Sequence, residues 1–238
     1  MKKRYIFALL ALFLLTTACQ NSSPPVNKKS GLSKFLLTTA CQNSSPPVNK
    51  KSGLSKKEAH ELGNHLELVK VDVSIVMDKR LVGSTIITEG KDKGKELVPT
   101  SLYYEIDLKN TGEKRVGKEH PDKGIEMEIQ PHIPLKNALE ESVGFNVFNP
   151  DDNQDRSGLG YGFSSPSILE YNEQGNFTLN YDLGFKGSTN KEQASPLKAS
   201  DQQLKKLEPQ LLDGVLVVKQ EKQVLAKFDM KTKKRIEK

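Results

Sequence analysis

Ser101–Gly112 reads SLYYEIDLKNTG. Leu102, Tyr104, Ile106 and Leu108 fall on one side of an extended chain, and Tyr103, Glu105, Asp107 and Lys109 on the other. A period of two, with one face mainly apolar and the other mainly charged, marks a strand half-buried in an antiparallel sheet. Asn110-Thr111-Gly112 then supplies turn chemistry, because a short amide side chain can bond nearby backbone and glycine carries no Cβ. Whether this strand belongs to a β-domain depends on recurrence of the pattern.

The pattern recurs on both sides. Upstream, Val69, Val71, Val73, Ile75 and Met77 alternate with Lys70, Asp72 and Ser74. Downstream, Ile125, Met127 and Ile129 alternate with Glu126 and Glu128, and Phe177, Leu179, Tyr181 and Leu183 with Thr178, Asn180 and Asp182. Val224, Ala226, Phe228 and Met230 alternate with Leu225, Lys227 and Asp229. Shorter candidates are Leu81–Thr88, Val143–Phe148, Ser167–Tyr171 and Gly214–Lys219, and Gln174-Gly175-Asn176 is a second turn signal. Helices are few. Ser55 and Glu58 have the spacing of a capping box, which opens a helix through Leu62 with Gly63 as its stop. Asp201–Leu207 is a second, capped by Ser200 and closed before Pro209, while Asn137–Glu141 reads as a short solvated helical face. Many alternating strands with one or two short helices predict a mainly β domain over residues 57–238, an antiparallel β-sandwich.

SLYYEIDLKNTG resembles the strand followed by Asn-Thr-Gly found in immunoglobulin-like domains of bacterial surface lipoproteins. ILEYNEQGNFTLNYDLG (168–184) and the final hairpin VLVVKQEKQVLAKFDM (215–230) are similar to the same group. The resemblance implies an immunoglobulin-like β-sandwich.

The N-terminus carries an address. MKKRYIFALLALFLLTTAC (1–19) has a basic start, an apolar run of 11 residues from Tyr5 to Leu15, and small residues up to Cys19. A membrane-spanning helix needs about 20 apolar residues, so the run fits the apolar region of a signal peptide instead. Leu15-Thr16-Thr17-Ala18-Cys19 resembles the lipobox of bacterial lipoproteins, with the usual Leu one place too early. This resemblance implies a Gram-positive, Bacillus-like membrane lipoprotein. Residues 1–18 would be its signal peptide, and Cys19 would carry a diacylglyceryl thioether.

Phe13–Lys34 is repeated without change as Phe35–Lys56, so Cys41 stands in the same local word. Only Phe35-Leu36-Leu37 precede it as an apolar run, however, and a signal helix needs its apolar region directly before the cleavage site. Cys19 is therefore the expected lipidated residue. Residues 19–56 are rich in Ser, Pro, Asn, Lys and Gly and read as a disordered tether. Its 37 residues after Cys19 would span about 30–37 Å as a flexible coil.

Charge argues against a nucleic-acid partner. The formal net charge is +6, but residues 1–56 hold nine Lys and Arg and no acid, so residues 57–238 carry −3. Nucleic-acid binders concentrate positive charge on the folded face that meets phosphate.

Signals for chemistry are sparse. His60, His65, His120 and His132 form no pair with zinc-motif spacing. Asp151, Asn153 and Asp155 have the spacing of the first three ligands of a calcium loop and are the candidate metal ligands. Arg156 stands where that loop needs Gly, and Gly162 where it needs Glu, so a solvated acidic turn is the simpler reading. Gly158–Ser165 lacks phosphate-loop spacing, and no Gly-x-Ser-x-Gly elbow occurs. No cofactor is expected. The expectation is a non-enzymatic, lipid-anchored module at the outer face of the cytoplasmic membrane that binds an envelope protein or wall component. The alternatives are an exported hydrolase acting on envelope material and a weak calcium-binding adhesion module.

Overall fold

The computed structural model describes residues 53–120, 123–149, 160–185 and 199–237. Residues 1–18, the tether up to residue 52, Cys19, Cys41, Asp151, Asn153 and Asp155 lie outside the described residues. Strands form 43% of the described chain and helices 21%, so the domain is mainly β.

In chain order the elements are α1 (Lys56–Gly63), β1 (Leu66–Val76), α2 (Lys79–Val82), β2 (Thr85–Ile86), β3 (Glu96–Leu97), β4 (Pro99–Asn110) and β5 (Val116–Gly117). There follow β6 (Ile125–Pro131), α3 (Ile133–Val143), β7 (Tyr161–Ser164), β8 (Ile168–Leu169), β9 (Gln174–Phe185) and α4 (Asp201–Leu207). A 3₁₀ turn at Glu208–Gln210 leads to β10 (Gly214–Gln220) and β11 (Gln223–Asp229). One sheet has the order β1-β4-β9-β7 and a second β11-β10-β6, with every pairing antiparallel. β2 pairs with β3, and β5 with β8.

Alternation places the core. Leu102, Tyr104, Ile106 and Leu108 of β4 are all buried, as are Phe177, Leu179, Tyr181 and Leu183 of β9. Met127, Ile129, Leu216, Val218 and Phe228 from the second sheet join the same cluster, with Leu135 and Leu139 of α3 and Leu204 and Leu207 of α4. Each such aliphatic or aromatic side chain contributes about 1.5–3 kcal/mol relative to leaving it in water.

Several local expectations are corrected. Val69 does not share a face with Val71, because a bulge between Leu68 and Lys70 shifts the register. Leu66 and Leu68 point inward before it, and Val71 after it. Met77 lies past the end of β1 and is exposed. Leu81–Thr88 is not one strand: α2 takes its start and β2 two residues of it. Val143–Phe148 is not a strand either. Val143 closes α3, whose buried Leu135, Leu139 and Ser142 stand at helical spacing. There are thus four short α-helices among the described residues rather than one or two. Gln174-Gly175-Asn176 begins β9, and the turn precedes it at Asn172, with φ of 57°. Gly175 is needed for packing, since a Cβ there would stand 2.6 Å from Leu169 Cδ2.

The helix caps follow the sequence. Ser55 and Glu58 form the expected box, and Ser200 and Gln203 a second. Gly63, however, does not stop α1 through a left-handed turn. It is buried against β11, where a Cβ would sit 1.8 Å from Leu225 O.

Candidate binding groove at the β1 edge

A sheet edge presents unpaired backbone donors and acceptors, and folded proteins cover or shorten such edges. Three of the four outer edges of the two larger sheets are handled in that way. On β6, the Tyr161 hydroxyl donates to Met127 O at 3.4 Å, and the Tyr181 hydroxyl meets the backbone of Ile129. β7 is only four residues long. On β11, the returning chain pairs Arg235 with Phe228, and Asp229 N–H donates to Lys234 O while Ile236 N–H donates to Lys227 O. Arg235 also donates to Gly63 O and Leu225 O, tying α1 to that edge.

β1 is different. Asn110 N–H donates to Glu173 O, toward β9, so alternate residues of β4 (Tyr103, Glu105, Asp107) direct their backbone at β1. Their partners Ser74, Asp72 and Lys70 take those bonds. Val71, Val73 and Ile75 therefore turn their N–H and C=O groups outward. No strand pairs with that side of β1 among the described residues. Lys233 Nζ donates to Val69 O at 3.2 Å and marks one limit of the open stretch.

Beside this stretch runs a groove of about 680 Å³, lined by Val71–Ile75, Glu208, Pro209, Leu211, Leu212 and Lys231. Its far wall is fixed from two directions. From the core, the buried Tyr104 hydroxyl donates to Leu211 O at 2.9 Å, and burial holds that phenol far above its usual range. From the surface, Asp213 accepts from Lys231 Nζ at 2.8 Å and pairs with His132 Nδ1 at 2.8 Å. Lys231 first and His132 second hold the Asp213 carboxyl below its ordinary value. Asp213 N–H also donates to Gln210 O at 2.7 Å, which braces the wall. Apolar side chains on both walls and a row of outward backbone groups unpaired among the described residues suit an extended ligand. The charged cluster at the end holds the wall in place.

A second polar cluster lies at the start of β4. Ser101 Oγ donates to Asp182 Oδ1 at 2.6 Å, and Gly160 N–H to Oδ2 at 2.7 Å. Burial raises the Asp182 carboxyl above its usual value against the pull of both bonds. Thr100 Oγ1, also buried, finds no partner among the described residues.

No group of three His, Cys, Asp or Glu able to hold a metal occurs among the described residues. His60 and His65 lie at α1 and just after it, and neither meets His132 in the His132–Asp213–Lys231 cluster. The groove was not visible in the sequence. The strand was, but its place at an edge depends on pairing with distant segments, and Leu211, Asp213 and Lys231 carry no motif. Among the described residues, no helix is long and apolar enough to cross a membrane. No family model, curated protein or solved structure matches the chain.

Proposed function

We propose that this protein is an extracytoplasmic lipoprotein whose folded domain binds another component of the cell envelope through the β1 groove. The observation that carries the binding reading is the open stretch of β1 beside a groove of about 680 Å³. The anchor rests on the sequence: basic residues, an apolar run of 11 from Tyr5 to Leu15, and then small residues up to Cys19. Two or three acyl chains hold firmly where one holds only marginally, at about 0.8 kcal/mol per buried CH₂.

The finer fold reading is an immunoglobulin-like sandwich. Without the two-residue strands, β1, β4, β6, β7, β9, β10 and β11 correspond in chain order to strands A to G. The order β1-β4-β9-β7 then reads A-B-E-D, and β6-β10-β11 reads C-F-G. This is the constant-type arrangement, and it supports that reading.

The test places a photo-cross-linking side chain at Ser74, which lines the groove, and at Tyr171, which is exposed elsewhere. The full-length chain is irradiated in its own cells. An envelope component attached at position 74 and absent at 171 is expected. No position-dependent product would remove the groove from the function.

A further inference from the structure

We infer that the groove's occupant is an extended segment of another polypeptide, added to the sheet as a strand beside β1. This deepens the binding role proposed above and rests on it. Val71, Val73 and Ile75 present their N–H and C=O groups at every second residue, the spacing at which a neighbouring strand offers its own. From Val71 to Ile75 the edge runs about 13 Å, enough for roughly five residues of an added strand. Lys233 at Val69 limits the pairing on one side, and β1 ends at Val76 on the other.

The groove walls state what the segment must look like. Half-buried Val73 and Ile75 form one wall, and Leu211, Leu212 and Pro209 the other. Side chains on one face of the added strand would enter this apolar space. Those on the opposite face would lie in solvent beside Lys70, Asp72 and Ser74, where Lys70 and Asp72 already form an ion pair at 2.8 Å. The matching segment is therefore extended and alternates apolar with polar residues. Its main chain supplies affinity and its apolar face the choice of sequence. A sugar has no periodic row of amide donors and acceptors to match this edge. The tyrosine contacts on β6, the short β7 and the Arg235 return on β11 direct pairing to β1.

Val73→Pro is the decisive variant. Val73 directs its N–H away from β4, so proline there removes an outward donor while Asp72 and Ser74 keep the ladder. In the Ser74 cross-linking experiment, the product should map to an alternating segment of a different polypeptide. It should fall at least tenfold in Val73→Pro, with a thermal midpoint close to the parent's. In parallel, the detergent-solubilised full-length chain is titrated with a labelled peptide that alternates valine and threonine between terminal lysines. Saturable binding is expected, with a loss of at least tenfold when alternate peptide nitrogens are methylated. That arm decides the matter even if Val73→Pro fails to fold. Cross-linking to a second copy of this chain would overturn a different polypeptide as the occupant. Cross-linking to glycan or to lipid would overturn strand addition while leaving a binding groove. So would full retention of the product in a folded Val73→Pro chain, or equal binding of the methylated peptide. No product at position 74 would remove both readings.

Discussion

Asn110 is wholly buried and fully used. Its Nδ2 donates to Lys114 O at 2.9 Å and to Leu169 O and Glu170 O at 3.1 Å, while Oδ1 accepts from Gly112 N–H at 3.0 Å. One side chain thus joins the end of β4 to the loop after it and to β8. Asn110→Ala takes this partner from the buried Leu169 O and Gly112 N–H and should cost about 2 kcal/mol or more, since each buried unsatisfied group costs about 1–3 kcal/mol. Urea denaturation measures this, and a loss below 1 kcal/mol would mean that water replaces the amide. The turn-forming role of this Asn was legible in SLYYEIDLKNTG, but its bonds to residues 169 and 170 were not, because they close across a long loop. Asp182 makes a pH-dependent contribution. Burial raises its folded-state value, so the folded chain keeps the proton to higher pH than the unfolded chain does. Its stabilising contribution is complete below the ordinary carboxyl range and is lost as pH rises through the raised folded value. Asp182→Asn should flatten that part of the stability–pH curve, and an identical slope in the variant would assign the fall to other groups.

At the level of elements, the β10–β11 hairpin shows what alternation reveals and what it conceals. Both strands were legible from Gly214–Lys219 and from the pattern ending at Met230. Their joining as a hairpin was legible too, but the length and type of its turn were not, because Glu221 and Lys222 both adopt positive φ, 49° and 65°, without the Asn-Gly usual there. Glu221 is held in place by Leu54 N–H at 2.8 Å and by Lys118 Nζ. Lys222 is exposed. The left-handed conformation costs a non-glycine residue about 1–2 kcal/mol and glycine's extra chain entropy takes back about 0.5–1 kcal/mol, so Lys222→Gly should raise stability by up to about 1 kcal/mol, read as a higher thermal midpoint; a lower midpoint would show that Lys222 makes a contact of its own. The end of α1 teaches the same lesson. Gly63 looked like a stop signal, yet close approach to Leu225 is what requires it. The edge position of β1 was hidden for a related reason. Val71-x-Val73-x-Ile75 has the same alternation as the interior strand β4, and only the neighbours distinguish them.

For the whole molecule, the sequence specified a mainly β domain but not which surfaces it leaves open. The proposed attachment makes a separate prediction. Labelling with a fatty-acid analogue should persist in Cys41→Ala and disappear in Cys19→Ala, with the protein then recovered outside the membrane fraction. Label retained by Cys19→Ala would refute Cys19 as the anchor. Arg235 has a further consequence. It bonds Gly63, 172 residues earlier in the chain, and with its neighbours covers β11. The bond that ties the end of α1 to the returning chain does not exist until Arg235 has been synthesised. A ribosome that has made every other strand still carries a chain without this closure. Of the two ties described between α1 and the β11 edge, the packing of Gly63 on Leu225 and the bonds from Arg235, the second is thus the later to become available as the chain is made.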